Sequence, residues 1–348
     1  MSREGPSQFV PQEAVSDPKK EAPLTKEDSW KKMQEWIAEL KSTSKFSREK
    51  MADGREKIRS ADGQDFFVRR IENPQDPAVK KLHKFLLSAL SADEVDDLDT
   101  IRGAMAGRDY AYHAIEDQSG KMVSVSNVGY LETELPEQKK GTKEGMAFVA
   151  YIVTGRNFRK MGLGSELYQN IYSFALQEAK SRGHGLKSVI GEAGTVEPFL
   201  NRMGRKKMYF EDRDGNLREV PYLQAPLEWD KKTGKPMSRA VPEHLMLRLT
   251  NGKQGLNIDE LLPMVWALYK DNNIPPNEFF RSKAAQEKNY ARVVGYLEKL
   301  KKALRESKDG RLFLMSAEER EQKARELQAG GKNLYEHAKR RSKPSATE

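Results

Sequence analysis

The sequence contains no cysteine among its 348 residues. Disulfide bonds, thiolate metal sites and cysteine nucleophiles are therefore excluded. It also lacks any run approaching the roughly 20 apolar residues of a membrane-spanning helix, and its first residues lack the apolar core of a signal peptide. These absences favour a soluble protein of a reducing compartment, and we expect a cytoplasmic location and no membrane partner.

The charged residues are not predominantly of one sign. The 61 basic residues stand beside 52 acidic ones, so the net charge of +9 is spread over a mixed surface. Interspersed charge is typical of solvated helices and loops. Nucleic-acid binding is therefore a secondary hypothesis, limited to RNA or ribosome contacts by the basic C-terminal helices. His113 and His184 have no metal-ligand spacing, and no metal is expected.

Composition and periodicity divide the chain into four segments. Residues 1–25 are polar and proline-rich, which predicts a disordered tail. Residues 26–64 form a helical N-terminal segment with an apolar stripe. A compact α/β domain is expected over residues 65–250, and a charged, helical C-terminal extension over residues 251–348.

The sequence pattern predicts the order of strands and helices in the compact domain. A strand is followed by two helices, a β-hairpin and the long apolar strand "MAFVAYIVT". A glycine-containing corner, "RNFRKMGLGS", then leads into an amphipathic helix, another strand, a short helix and late strands.

The corner has the chemistry of a phosphate site. The first amides of a helix lack intrahelical partners, and the helix dipole adds partial positive charge there. Gly162 and Gly164 allow close approach to the backbone, Arg159 and Lys160 add cations, and Ser165 adds a hydroxyl. The corner therefore predicts a pyrophosphate site.

The glycine pattern indicates which pyrophosphate. The third glycine of the dinucleotide fingerprint and the lysine of the Walker loop are both missing. Arg-x-x-Gly-x-Gly, present here as "RKMGLG", resembles the acyl-CoA signature of the GNAT superfamily of N-acetyltransferases. With its surrounding elements the resemblance covers about residues 65–250. It implies a mixed, mostly antiparallel twisted sheet flanked by helices, with acetyl-CoA as cosubstrate and no metal.

The resemblance also implies a reaction and a cosubstrate site. An amine acceptor, either a small molecule or a protein, attacks the thioester directly in a ternary complex. The thioester enters a splay between the strand "MAFVAYIVT" and the strand "SVIGEA", where backbone groups polarise its carbonyl. The expected cosubstrate-binding residues are Ile152, Val153, Thr154, Arg159, Lys160, Met161, Gly162, Leu163, Gly164 and Ser165.

Candidates for proton transfer are less well marked. Glu192, at the end of "SVIGEA", is the candidate general base, and Tyr151 is the candidate acid. Glu144 and Glu197 are weaker candidates for the base. The family often has a tyrosine where this chain has Leu200, and this departure keeps open a catalytically silent acyl-CoA-binding or partner-binding module. As an alternative to a catalytic role, Glu192 could bind Arg202 or Arg205.

Acceptor recognition is expected at the end of the hairpin. Tyr130, Glu132 and Glu134 would suit a cationic amine, although the same residues would suit an ordinary exposed strand end. The sequence leaves the acceptor itself open.

Overall fold

The computed structural model describes residues 25–53, 55–90, 95–107, 110–135, 144–193, 197–226, 228–274 and 279–328. The helices with both ends inside these ranges are α1 Lys26–Ser42, α2 Pro77–Ala89, α3 Leu98–Ala106, α4 Leu163–Arg182, α5 Glu197–Arg202, α6 Ile258–Asn273 and α7 Lys283–Leu304, and residues 317–328 are also helical. The strands are β1 Phe46–Lys50, β2 Glu56–Ser60, β3 Asp65–Ile71, β4 Tyr110–Asp117, β5 Met122–Glu132, β6 Glu144–Thr154, β7 Gly185–Ala193, β8 Lys206–Glu211, β9 Leu217–Glu219, β10 Leu223–Gln224, β11 Val241–Pro242, β12 His244–Leu249, β13 Gly255–Asn257 and β14 Arg311–Met315.

A twelve-stranded sheet organises the fold. Its strand order is β1-β2-β3-β4-β5-β6-β7-β12-β8-β14-β13, with β9 paired to β8. Within the described sheet, the contact between β6 and β7 is parallel and the other strand pairs are antiparallel. The predicted fold class, a mostly antiparallel mixed sheet flanked by helices, is confirmed, and the elements follow the predicted order.

The two faces of the sheet carry different helices. Along β6, Ala147 and Val149 pack in the apolar cluster that contains α1 and α4. Met146 and Phe148 alternate with them and pack in the cluster that contains α6 and α7. Because side chains alternate across a strand, α1 and α4 lie on one face and α6 on the other. The β6–β7 contact is therefore covered on both sides.

The N-terminal segment is only partly helical, which corrects the expectation for residues 26–64. Helix α1 begins with a capping box between Thr25 and Asp28 and ends at Ser42. A β-hairpin, β1–β2, follows it. In this hairpin Phe46 and Ile58 are buried while Ser47 and Arg59, the residues that follow them, are exposed, a short alternation that the helical interpretation overlooked.

The segment after residue 250 contributes strands as well as helices. Strand β14 pairs with β8, and β13 pairs with β14, so this segment extends the sheet. Its helices supply buried residues to the same apolar cluster as β5, β6 and β7. The strands β13 and β14 were missed because they are short and lie next to strong helical patterns.

Candidate active site at the splay of β6 and β7

The loop between β6 and α4 contains two residues with positive φ angles. The Gly155 amide donates to the Val123 carbonyl at 2.8 Å, and a 3-10 turn follows at Arg156–Phe158. Lys160 has a φ of 70°, and Gly162, the residue before α4, has a φ of 100°. A residue with a side chain is strained at such a φ, so Gly162 is required by the backbone.

Gly164 is required for a different reason. A Cβ atom at this position would lie 2.9 Å from Cζ of Phe199, whose ring covers the first turn of α4. Close packing of a ring from α5, rather than approach of a phosphate, therefore explains this glycine. The sequence could not separate these reasons because both require the same residue.

The loop carries backbone amides without acceptors and exposed cationic side chains. Among the described residues, no acceptor takes the amides of Met161, Gly162 or Gly164, and α4 has no side-chain cap. Arg156, Arg159 and Lys160 are exposed. The described part of the chain places no carboxylate within ion-pair distance of any of them, and Arg159 donates to the Thr154 carbonyl at 3.3 Å. Unpaired amides and cations at a helix N-terminus fit a pyrophosphate.

Strands β6 and β7 separate next to this loop. Their ladder ends at the pair Phe148–Ile190. Beyond it β6 continues along β5 as far as Thr154, while β7 continues along β12 as far as Ala193. A β-bulge, which sets Val149 and Ala150 opposite Val128, lies at the point of divergence. The predicted splay is thus present in the structure.

The residues expected to contact the pantetheine arm lie on the open part of β6. Ile152, Val153 and Thr154 pair with Ser126, Val125 and Ser124 of β5 on one edge. Within the described ranges no strand occupies their other edge. The main chain of this edge is therefore available to an extended ligand entering the splay.

Glu192 lies on the β7 side of the splay. Tyr222 donates to its Oε1 at 2.5 Å, and Gln224 donates to its Oε2 at 2.9 Å. Burial and, to a smaller extent, the nearby charge of Glu243 together raise the pKa of Glu192 to about 7, against the hydrogen bonds from Tyr222 and Gln224. A carboxylate with this pKa is suited to accept a proton near neutrality. The alternative partners Arg202 and Arg205 are not its hydrogen-bond partners.

The environment of Glu192 includes residues that the sequence reading missed. Tyr222 is stacked on Tyr269 of α6, with ring centroids 5.8 Å apart and an interplanar angle of 12°. Tyr269 donates to the Leu223 carbonyl at 2.7 Å. The C-terminal segment therefore packs against β10, which contains Gln224, and against Tyr222 just before it. Their i, i+2 spacing in "PYLQAP" was the available signal.

Tyr151 is committed to another carboxylate. Its hydroxyl donates to Oδ2 of Asp96 at 2.9 Å and accepts from the Asp96 amide at 3.2 Å. Burial, followed by the charge of Asp96, raises the pKa of Tyr151. A raised pKa makes a phenol a weaker proton donor, so these contacts favour a role for Tyr151 in the wall of the site.

The hairpin residues proposed for the acceptor lie away from the splay. Glu132 pairs with Gly145 at the start of β6, on the closed part of the ladder, and forms an ion pair with Arg182 at 3.5 Å. Tyr130 is buried in the cluster of α1 and α4. Glu134 is bound to Lys270 at 2.9 Å. The structure therefore brings neither Tyr130 nor these carboxylates to Glu192.

The weaker base candidates also remain apart from the reaction centre. Glu144 begins β6 and lies 3.6 Å from Nζ of Lys187. Glu197 begins α5, but its side chain lies outside the described part of the structure. Among the described residues, no group of three or more metal-ligating side chains is found. No described helix is both long enough and apolar enough to cross a bilayer.

Comparisons with known proteins give distant structural likenesses. No protein-family model and no curated protein matches the sequence. An Arabidopsis thaliana NAA60 structure in complex with acetyl-CoA is 11% identical. The match covers 54% of this chain and 99% of that chain, with a TM-score of 0.36. An aminoglycoside acetyltransferase, meta-AAC0020, from an uncultured soil metagenomic sample is 13% identical. The match covers 40% of this chain and 84% of that chain, with a TM-score of 0.30.

A third likeness is to a GNAT family N-acetyltransferase, YhbS, from Escherichia coli in complex with CoA. It is 14% identical, with 41% of this chain and 70% of that chain covered and a TM-score of 0.31. At these scores the likenesses carry no functional argument. The features that bear on function are the strand topology, the loop with its unpaired amides and exposed cations, and the splay of β6 and β7.

Proposed function

We propose that this protein is an acetyl-CoA-dependent N-acetyltransferase that transfers the acetyl group to a primary amine. The observation that carries the proposal is the splay of β6 and β7. It is bordered at one end by an anion-binding loop and on the β7 side by Glu192, with a pKa of about 7. Such a site combines a place for an acyl carrier with a proton acceptor. A cytoplasmic location belongs to the same proposal.

The residues of the cosubstrate site have distinct roles in this proposal. The amides of Met161, Gly162 and Gly164 hold the pyrophosphate, and Arg159 and Lys160 neutralise part of its charge. The open edge of Ile152–Thr154 pairs with the pantetheine arm. Acetyl-CoA, when bound, supplies the activated acetyl group.

Glu192 carries the proton transfer. A primary amine arrives mostly as an ammonium ion and must lose a proton before its nitrogen can attack a carbonyl. Glu192 accepts that proton directly or through a water molecule, and Tyr222 and Gln224 keep its two oxygens oriented. Nitrogen attack then proceeds in a ternary complex without a covalent enzyme intermediate.

Binding is tested by calorimetric titration of acetyl-CoA into the wild-type protein and Ser165→Glu. The new carboxylate lies in the first turn of α4, where it interacts favourably with the helix dipole but repels a pyrophosphate. Gln177→Glu is the matched control, since it adds the same charge to an exposed position of the same helix. We expect binding by the wild type and the control, and at least about a tenfold loss in Ser165→Glu. No binding by the folded wild type would overturn the proposal.

A catalytically silent acyl-CoA-binding module is the second candidate. It is favoured by Leu200, which is buried where a tyrosine is common, and by the commitment of Tyr151 to Asp96. The two candidates differ in turnover, since only an enzyme releases CoA in an amine-dependent manner. Binding of RNA by the C-terminal helices would instead show steep salt dependence.

A further inference from the structure

Arg205 is a cation buried without a counter-charge. It is 1% exposed and follows α5 at the start of β8. Its guanidinium donates to the Tyr168 hydroxyl at 2.9 Å and to the Met246 carbonyl at 3.2 and 3.3 Å. Within the described residues no carboxylate lies within ion-pair distance of it. These neutral acceptors satisfy hydrogen bonds but leave the positive charge uncompensated.

A buried, unpaired charge opposes folding. Removing a guanidinium from water is expensive, and proteins usually recover that cost with a paired carboxylate. Two neutral oxygen atoms recover only part of it. An apolar side chain of similar volume would fill the same space at lower cost, so packing alone does not account for arginine at this position.

The location of this charge relates it to the splay. A Cβ atom at Gly191 would lie 2.3 Å from Nη2 of Arg205 and 2.6 Å from the carbonyl oxygen of Val149. Gly191 is the first residue of β7 beyond the last pair with β6, and Val149 is in the β-bulge. The guanidinium therefore occupies the space left by the missing side chain of Gly191, at the point where the two strands diverge.

This location also lies beside the missing tyrosine. Leu200 is 1% exposed and packs in the cluster of α1 and α4, so no hydroxyl is available there to protonate a leaving group. The Arg205 amide donates to the Leu200 carbonyl at 3.0 Å. The cation and the position without a proton donor thus belong to one turn of chain on the α4 face of the splay.

We propose that the uncompensated charge of Arg205 stabilises the negative charge that develops on the thioester during acetyl transfer. This inference rests on the proposed acetyltransferase function. Arg205 acts through space, as a fixed cation in a site of low dielectric constant, and does not itself donate a proton.

During acetyl transfer the ammonium acceptor loses two protons. The ammonium acceptor gives one proton to Glu192, and the nitrogen forms a bond to the thioester carbonyl carbon while the carbonyl oxygen takes the electron pair. The C–S bond then breaks, the sulfur leaves with its pair as a thiolate, and the nitrogen releases its second proton. One of the two protons neutralises the thiolate through solvent, and the other is the net proton released. Arg205 lowers the energy of the oxygen and sulfur anions.

The test measures the pKa of the CoA thiol in the complex. Because the chain contains no cysteine, the thiol of CoA bound to excess protein is the only thiol in the sample. Its ionisation can be followed by the pH dependence of its alkylation. We expect Arg205→Met to raise this thiol pKa by about one unit or more and to lower kcat roughly 100-fold. Arg205→Lys should retain most of both properties.

Stability and a control variant separate this role from a structural one. We expect Arg205→Met, without CoA, to melt at or above the wild-type temperature. Tyr168→Phe, which removes a hydrogen bond of Arg205 but keeps the charge, should leave the thiol pKa unchanged. A less stable Arg205→Met with a wild-type thiol pKa would overturn the inference.

Two further outcomes are decisive. If Arg205→Met does not fold, Arg205→Gln serves as the second uncharged variant, and failure of both to fold would assign Arg205 a structural role and overturn the inference. Absence of CoA binding by the wild type, seen in the calorimetric titration, would instead contradict the proposed function. Binding with unchanged thiol ionisation in the variants contradicts only the role of Arg205.

Discussion

At the scale of single residues, the environment of Glu192 determines what this protein can do. The sequence identified Glu192 from its place at a strand end, but it could not identify the groups around it. Gln224 of β10 and Tyr222 just before that strand lie about thirty residues further along the chain, and Tyr269 comes from α6. Such contacts depend on tertiary packing, which periodicity does not report.

The raised pKa of Glu192 makes stability depend on pH. Its ordinary value of 4.5 is raised to about 7 in the fold, so its contribution to stability is complete below pH 4.5 and is lost as pH rises through about 7. Glu192→Gln does not titrate. We expect the variant to match the wild type near pH 4.5 and to be more stable by about 1–3 kcal/mol at pH 8. Thermal unfolding across this range checks the difference, and a constant difference would contradict the assigned pKa.

Tyr222 should also affect the pKa of Glu192. Its hydrogen bond to the carboxylate lowers the pKa of Glu192, so Tyr222→Phe should raise that pKa further. In the proposed enzyme, kcat/KM rises as Glu192 loses its proton, and the rising limb should move to higher pH by roughly one unit. Tyr269→Phe is the control, because it keeps the stacked ring and both donors to Glu192 and loses only the hydrogen bond to the Leu223 carbonyl. Equal shifts in both variants would contradict a specific role for Tyr222.

At the scale of elements, the corner and the helix after it were predicted from the sequence, whereas the β1–β2 hairpin was missed because its alternation is short. The corner is local, because Gly162 and α4 are adjacent in sequence. The hairpin instead depends on a distant contact. Arg48 of β1 pairs with Glu166 in the first turn of α4, and Ser44 donates to the same carboxylate at 2.6 Å. No local sequence pattern indicates that Arg48 pairs with Glu166.

This ion pair should hold the hairpin onto α4. The Glu166 side chain is 1% exposed and that of Arg48 is 21% exposed. Arg48→Met leaves the buried carboxylate without its cation, and we expect a loss of about 2–3 kcal/mol in the free energy of unfolding, measured in urea.

A double variant gives the control for this prediction. Arg48→Met combined with Glu166→Gln removes the charge at both ends and should recover much of the loss. Additive losses in the double variant would show that the two charges do not stabilise one another.

At the scale of the whole molecule, the segment after residue 250 belongs to the same core as the strands of the splay. Leu268 of α6 is fully buried in the cluster that contains Phe148 and Ile190. Helical patterning predicted α6 and α7 but gave no indication that β14 would join β8. Strand pairing across a hundred residues is not encoded in local alternation.

The described core should therefore unfold as one unit. Leu268→Ala removes a fully buried side chain, and we expect it to lower the stability of a single cooperative transition by about 2–5 kcal/mol. Leu87→Ala, at a position that is 44% exposed, should have an effect below about 1 kcal/mol. Scanning calorimetry checks both variants. Two separate transitions, with only one shifted by Leu268→Ala, would indicate an independent C-terminal unit.

The central claim is that the splay of β6 and β7 transfers acetyl groups to amines with Glu192 as the base. It is tested most directly by mixing the protein with acetyl-CoA and a panel of primary amines and measuring the released thiol, which no cysteine of the chain can obscure. We expect amine-dependent release by the wild type and roughly a 100-fold slower release by Glu192→Gln. Folded wild-type protein that binds acetyl-CoA but releases no thiol with any amine would contradict the claim and leave the site as a binding module.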